Sequence, residues 1–183
     1  MKRLHLGCGA KYLDGWLNVD GCAAPVVEGV VGHPDRVIDV VGGLWQLEAS
    51  AYEWVYTSHL LEHVAPNLLP EVLCHLHRIL APGGKLTIAT TDFEGIYLHR
   101  FLEPDDGNNW KAALFGDTSS HAHAFDMHRN CFTYEEMCEL LAAAGFARVR
   151  TWKPEEYPEI LALKDYSSTA RLVSVLAEGI KAV

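Results

Sequence analysis

Apolar and polar positions along the chain follow two periods in turn, and the change from one to the other marks out the elements. Four short β-rich runs come first, each closed by turn residues: 3–6 before Gly7-Cys8-Gly9, 16–19 before Asp20, 36–41 before Gly42-Gly43, and 54–57 before Ser58-His59. Runs of this length bounded by such residues read as strands. Between residues 67 and 80 the spacing changes. Leu69, Val72, Leu73, Leu76, Ile79 and Leu80 recur at helical intervals, which predicts a helix with one apolar face. Pro82-Gly83-Gly84 follows as its stop, and residues 85–91 form a fifth strand ending at Asp92.

Residues 103–130 break the pattern. They are rich in Asp, Asn, Gly, Ser and His and read as a long loop or lid, with a short helix near 110–115. A capping box, Thr133 with Glu136, then starts the clearest helix of the chain, whose buried stripe is Met137, Leu140, Leu141 and Ala144 and whose end is Gly145. Residues 146–152 form a further strand, and 171–179 are expected to lie antiparallel beside it. Strands alternating with helices, with no repeat and no linker, predict an α/β sheet covered on both faces within one domain over residues 1–183.

Composition narrows the partners. The net charge is −9 with no basic block, which disfavours nucleic acid. No stretch approaches the roughly 20 apolar residues of a membrane span, and the N-terminus enters a strand at once, so a cytoplasmic protein is expected. The cysteines (Cys8, Cys22, Cys74, Cys131, Cys138) are odd in number and scattered, as reduced structural thiols are.

The Gly7-Cys8-Gly9 turn carries the first chemical signal. A strand ending in G-x-G brings a ligand against bare backbone. A dinucleotide fingerprint needs a third glycine three residues after Gly9, and Tyr12 stands there; the triphosphate loop motif is also absent. An adenosyl ligand without phosphates suits this turn better. Asp20, at the end of the second strand, is placed to accept the hydroxyl protons of a ribose.

Leu4-His5-Leu6-Gly7-Cys8-Gly9, Leu17-Asn18-Val19-Asp20, His59-Leu60-Leu61-Glu62-His63, Leu80-Ala81-Pro82-Gly83-Gly84-Lys85-Leu86, Phe132-Thr133 and Ala144-Gly145-Phe146 occur in that order. This series resembles the motifs of class I S-adenosylmethionine (SAM)-dependent methyltransferases over about residues 3–152. It is most similar to the short bacterial methyltransferase-domain proteins. The resemblance implies a three-layer Rossmann-like sheet, mostly parallel with an antiparallel last strand, and SAM as cofactor. It implies that Gly7, Cys8 and Gly9 line the methionine part of SAM, that Asp20 holds the ribose and that Asp39 lies near the adenine. Ser58 and His59 would flank the cofactor and face the substrate.

Two positions and one spacing depart from that pattern. His5 stands where the family has an acid, and Glu53 replaces the usual Asp before the fourth strand. Only eleven positions separate Gly9 from Asp20. The helix that follows the glycine turn must therefore be cut to a turn, leaving part of the cofactor pocket open or covered by another segment.

The histidines are the candidate chemistry. His59, His63 and His128 are candidate bases toward a hydroxyl acceptor, and His128 and Arg129 are expected on the substrate side of the lid. His59-x-x-Glu62-His63 also matches the H-x-x-E-H zinc-peptidase pattern, with Glu135, Glu136 or Glu139 as a third ligand. That reading gives no role to the glycine turn. His121, His123, Asp126 and His128 cluster in the loop as ligands or as solvated side chains, and no metal site is assigned. The expected activity is methyl transfer to a small-molecule or sugar-type acceptor. A non-catalytic SAM-binding or regulatory domain is the competing reading.

Overall fold

The computed structural model describes residues 2–27, 29–102, 110–116, 127–163 and 174–183. A seven-stranded sheet in the order β5-β2-β1-β6-β7-β9-β8 organises them. Its strands are β1 (Lys2–Leu6), β2 (Leu17–Asp20), β5 (Arg36–Val37), β6 (Tyr52–Ser58), β7 (Leu80–Thr91), β8 (Phe146–Thr151) and β9 (Ser174–Lys181). The first five run parallel, whereas β9 lies antiparallel between β7 and β8. A separate hairpin pairs β3 (Val26–Val27) with β4 (Val30–Val31).

One face is covered by α1 (Leu69–Ile79) and α4 (Tyr134–Ala143), whose apolar stripes meet Leu4, Leu6, Val55, Leu86 and Ile88 of the strands in one core cluster. The Thr133 hydroxyl accepts from the Glu136 amide at 3.1 Å, and Gly145 ends α4 in a left-handed conformation, as the capping box and glycine stop require. On the other face Leu13, Trp16, Trp54, Tyr56, Trp152 and Ile160 form a second cluster that includes α5 (Pro158–Leu163). No helix follows β1. Residues 8–16 turn back through a Lys11 amide bond to the Cys8 carbonyl and a Trp16 amide bond to that of Leu13. Indole and phenol rings fill the layer that a helix would otherwise supply.

The sheet follows the sequence expectation, with corrections at the periphery. The third strand is two residues long instead of six, because Asp39 accepts from the Val41 amide at 2.9 Å and turns the chain. The last strand pairs with β7 as well as β8; residues 171–173 lie outside the described set. The β3–β4 hairpin, α2 (Phe93–Leu102) and α5 have no clear periodic signal. Of the predicted lid, α3 (Trp110–Phe115) forms where a short helix was expected, and residues 127–130 are described. His121, His123 and Asp126 lie outside the described residues. No helix among the described residues is long and apolar enough to cross a membrane.

Candidate active site

The parallel pairings align Leu6 with Val19 and Thr57, and Ser58 with Ala89, so the carboxyl ends of β1, β2, β6 and β7 share one edge. Ligands in open α/β sheets bind outside that edge. Gly7 (φ +73°) and Gly9 (φ +53°) sit there in the left-handed region that only glycine enters at little cost. Val19 carbonyl oxygen accepts from the Gly7 and Cys8 amides at 2.8 and 3.1 Å, tying the turn to β2.

Asp20 lies beside this turn. Its Oδ2 accepts from the Gly9 amide and its Oδ1 from the Cys22 amide, both at 2.9 Å. A carboxylate offers about four lone-pair sites, so two remain for ribose hydroxyls. A Cβ on Gly7 would meet the Leu60 side chain at 3.1 Å, and one on Gly9 would meet Val27 Cγ2 at 2.7 Å. The bare backbone therefore lies between two apolar walls. These features fit an adenosyl cofactor: glycine backbone, a partly free carboxylate and apolar surface, with no phosphate cradle.

The wall over Gly9 is the β3–β4 hairpin, seated by close contacts. Gly32 donates its amide to the Pro25 carbonyl at 2.7 Å, and the Tyr12 hydroxyl accepts from the His33 amide. The hairpin thus packs against Gly9, in a chain where no helix follows β1. His5 stacks on Tyr56 with ring centroids 5.3 Å apart and places Nδ1 3.3 Å from Asn18 Oδ1. It is buried in the second core instead of lining the turn. Asp39 is exposed, with its carboxylate on the Val41 amide. Glu53 pairs with Arg3 at 3.2 Å, near the opposite end of the strands.

Across the edge, β6 ends at buried Ser58, and His59 follows in a left-handed conformation (φ +47°). Leu61–His63 then form a single 3₁₀ turn. His59 and His63 thus do not share a helix face, contrary to the metallopeptidase expectation. The turn is built on Glu62, a residue that the H-x-x-E-H pattern contains but that was not among the expected site residues. Glu62 is fully buried; its Oε1 lies 2.8 Å from His59 Nδ1 and accepts from Thr91 Oγ1 at 3.1 Å, and its Oε2 accepts from Thr90 Oγ1 at 2.8 Å. Burial alone would raise the Glu62 carboxyl, but the charge and hydrogen bond of His59, then His63, and its own backbone amide bring it down to about 2. The Leu-Glu-His order was the available signal, since a charged residue between apolar neighbours after a buried strand must find partners.

His128 reaches the same place through the backbone. The Arg129 and Asn130 amides donate to the Glu62 carbonyl at 2.7 and 3.0 Å, and the Phe132 amide donates to that of Thr91 at 3.0 Å. The His63 and His128 rings meet edge-on at 4.9 Å. The structure thus brings together Gly7, Cys8, Gly9, Asp20 and Ser58 on one side, and His59, His63 and His128 on the other, joined through Leu60. Arg129 projects exposed beside them.

Cys8 is buried within the turn, and desolvation, helped by the Asp20 charge, pushes its thiol up to about 12. Because the fold disfavours the thiolate, Cys8 leaves stability unchanged below the ordinary thiol range and lowers it as pH climbs from there toward about 12. Iodoacetamide at pH 8 is expected to label exposed Cys22 and Cys74 and spare Cys8, because only the thiolate attacks. Equal labelling of Cys8 by peptide mass spectrometry would contradict a packed turn.

Sheet order and strand directions define a Rossmann-like sheet, mostly parallel with an antiparallel strand near one edge. Residues 3–151 match the family described as Methyltransferase domain. The chain belongs to that family and is a methyltransferase that uses SAM. Solved structures share the fold. A SAM-dependent methyltransferase from Mesorhizobium loti is 18% identical over 98% of this chain and 90% of its own, with a TM-score of 0.55. One from Archaeoglobus fulgidus is 14% identical over 98% and 86%, with a TM-score of 0.57. A Haloferax volcanii putative methyltransferase in complex with the Trm112 activator is 16% identical over 100% and 83%, with a TM-score of 0.56. No curated protein matches the chain.

Proposed function

We propose that the chain methylates a hydroxyl of a small-molecule or sugar-type acceptor held between the glycine turn and the histidine cluster. The supporting observation is the pairing, across Leu60, of a phosphate-free glycine cradle with three imidazoles ordered around one buried carboxylate. Gly7, Cys8 and Gly9 take the methionine part of SAM, and Asp20 takes the ribose. Asp39, exposed past β5, serves the adenine side. When bound, SAM supplies a sulfonium methyl whose carbon passes to the acceptor oxygen while the bonding pair returns to sulfur. The protein's share is chiefly placement, since the leaving group is already activated.

Ser58 flanks the donor side of the gap, and His59, next in the chain, faces the acceptor. His59 Nδ1 faces Glu62, and Nε2, bonded to Ser174 Oγ at 3.3 Å, exchanges that partner for the acceptor's hydroxyl and takes its proton. His128 and Arg129 approach from the lid, which we place at about residues 103–130 of a single domain.

Mass spectrometry after incubation with SAM and hydroxylated metabolites or sugars tests this. S-adenosylhomocysteine (SAH) and an acceptor heavier by one methyl are expected. His59→Gln is expected to slow turnover by about 10²-fold or more while SAH binding is retained. SAM binding with no acceptor methylated would favour the regulatory reading instead.

A further inference from the structure

We infer that Glu62, His63 and His128 form a binding site for one divalent transition-metal ion. Each offers one ligand atom, and the three atoms lie within 4.8 Å of one another. An ion bonded at about 2.0–2.1 Å holds tetrahedral ligands roughly 3.3 Å apart, so small side-chain rotations complete the set.

The hydrogen bonds around the cluster leave the required lone pairs. The Met127 carbonyl accepts from His63 Nδ1 at 3.2 Å, which leaves Nε2 as the free nitrogen. His128 hydrogen-bonds the Ala113 carbonyl, while its Nδ1 is buried and bonded to no group among the described residues. The Ala113 bond therefore falls to Nε2 and leaves Nδ1 as the ring nitrogen with no hydrogen-bond partner among the described residues. A carbonyl on one ring nitrogen and a lone pair on the other is how proteins orient metal-binding histidines.

Glu62 is prepared in the same way. His59 and Thr91 bond Oε1 and Thr90 bonds Oε2, so the carboxylate is held in one orientation, with Oε2 carrying the fewer side-chain partners. His59 is thus a positioning residue toward the ion. Two imidazoles and one carboxylate suit zinc, manganese, iron or cobalt better than magnesium or calcium. Three protein ligands leave a position open. If the methyl-transfer reading holds, that position receives the acceptor oxygen and fixes it toward the cofactor edge. Ion binding itself does not depend on that reading.

The test is titration of the tag-free, metal-stripped 183-residue chain with Co²⁺, followed by visible absorption, with Zn²⁺ competition. One Co²⁺ per chain with the spectrum of a four- or five-coordinate site is expected. His63→Ala and His128→Ala are each expected to weaken binding by about 10²-fold, and His121→Ala/His123→Ala to retain it. Circular dichroism confirms that the variants fold. Wild-type binding no tighter than that of folded His63→Ala and His128→Ala overturns the site, as does its loss in His121→Ala/His123→Ala. SAH titration in EDTA reads the cofactor site separately, so failure of the metal site leaves the methyltransferase reading to stand or fall on its own.

Discussion

Glu62→Ala is expected to cost about 3–5 kcal/mol of folding stability, the range for stripping one partner from a buried charged network. At this chain length that is a fall of roughly 6–20 °C in melting temperature. The loss is large because the carboxylate serves three partners at once. Thr90 and Thr91 on β7 would each keep a buried hydroxyl with its acceptor gone, and His59 would lose the group at 2.8 Å that orients it. The turn joining β6 to α1 would loosen, and with it the backbone platform that accepts from Arg129 and Asn130. Glu62→Gln keeps the shape and one acceptor oxygen, and the threonine hydroxyls can rotate to accept from its amide, so it should cost clearly less. Calorimetric melting in EDTA removes any contribution from bound metal. Equal melting temperatures for wild type and Glu62→Ala would contradict the network.

Gly32→Ala carries the second large effect. A Cβ there would lie 2.4 Å from the Gly9 carbonyl oxygen and 2.9 Å from Ala10 Cα. Both are backbone atoms of the cofactor turn and cannot swing aside. The β3–β4 hairpin would have to lift, at a cost near the upper end of the about 1–3 kcal/mol typical of overpacking. Val27 would then leave Gly9, and SAH affinity is expected to fall by at least ~10-fold, about 1.4 kcal/mol. Gly21→Ala is the control, because nothing lies within 4 Å of its added Cβ. Similar SAH affinity in Gly32→Ala and wild type would show that the hairpin is not part of the pocket.

The two predictions concern the parts of the site that differed most in legibility. The glycine turn, Asp20 and the sheet were readable because each rests on local rules: strand, bare backbone, acid at a strand end. The absence of a helix after β1 was also readable, from the eleven-residue step to Asp20. The hairpin that covers the turn was not, since its valines, all exposed but Val27, pair two by two and leave no run long enough to register. The histidines were visible as residues but not as a constellation. His59 takes a left-handed conformation that breaks the helix periodicity assumed for H-x-x-E-H, and His128 joins His63 from 65 positions away through backbone bonds to Glu62. No spacing rule encodes that contact. His5 was read as a gap in the cofactor site, whereas its ring belongs to the aromatic core that replaces the missing helix.

SAM is expected to lie over Gly7-Cys8-Gly9 with its ribose on Asp20. Calorimetric titration with SAH tests it most directly, with Asp20→Ala as the paired variant and NAD as the paired ligand. One SAH per chain is expected, weakened at least ~10-fold by Asp20→Ala, with no heat from NAD. No SAH binding by wild type, or equal binding by folded Asp20→Ala, would contradict the account.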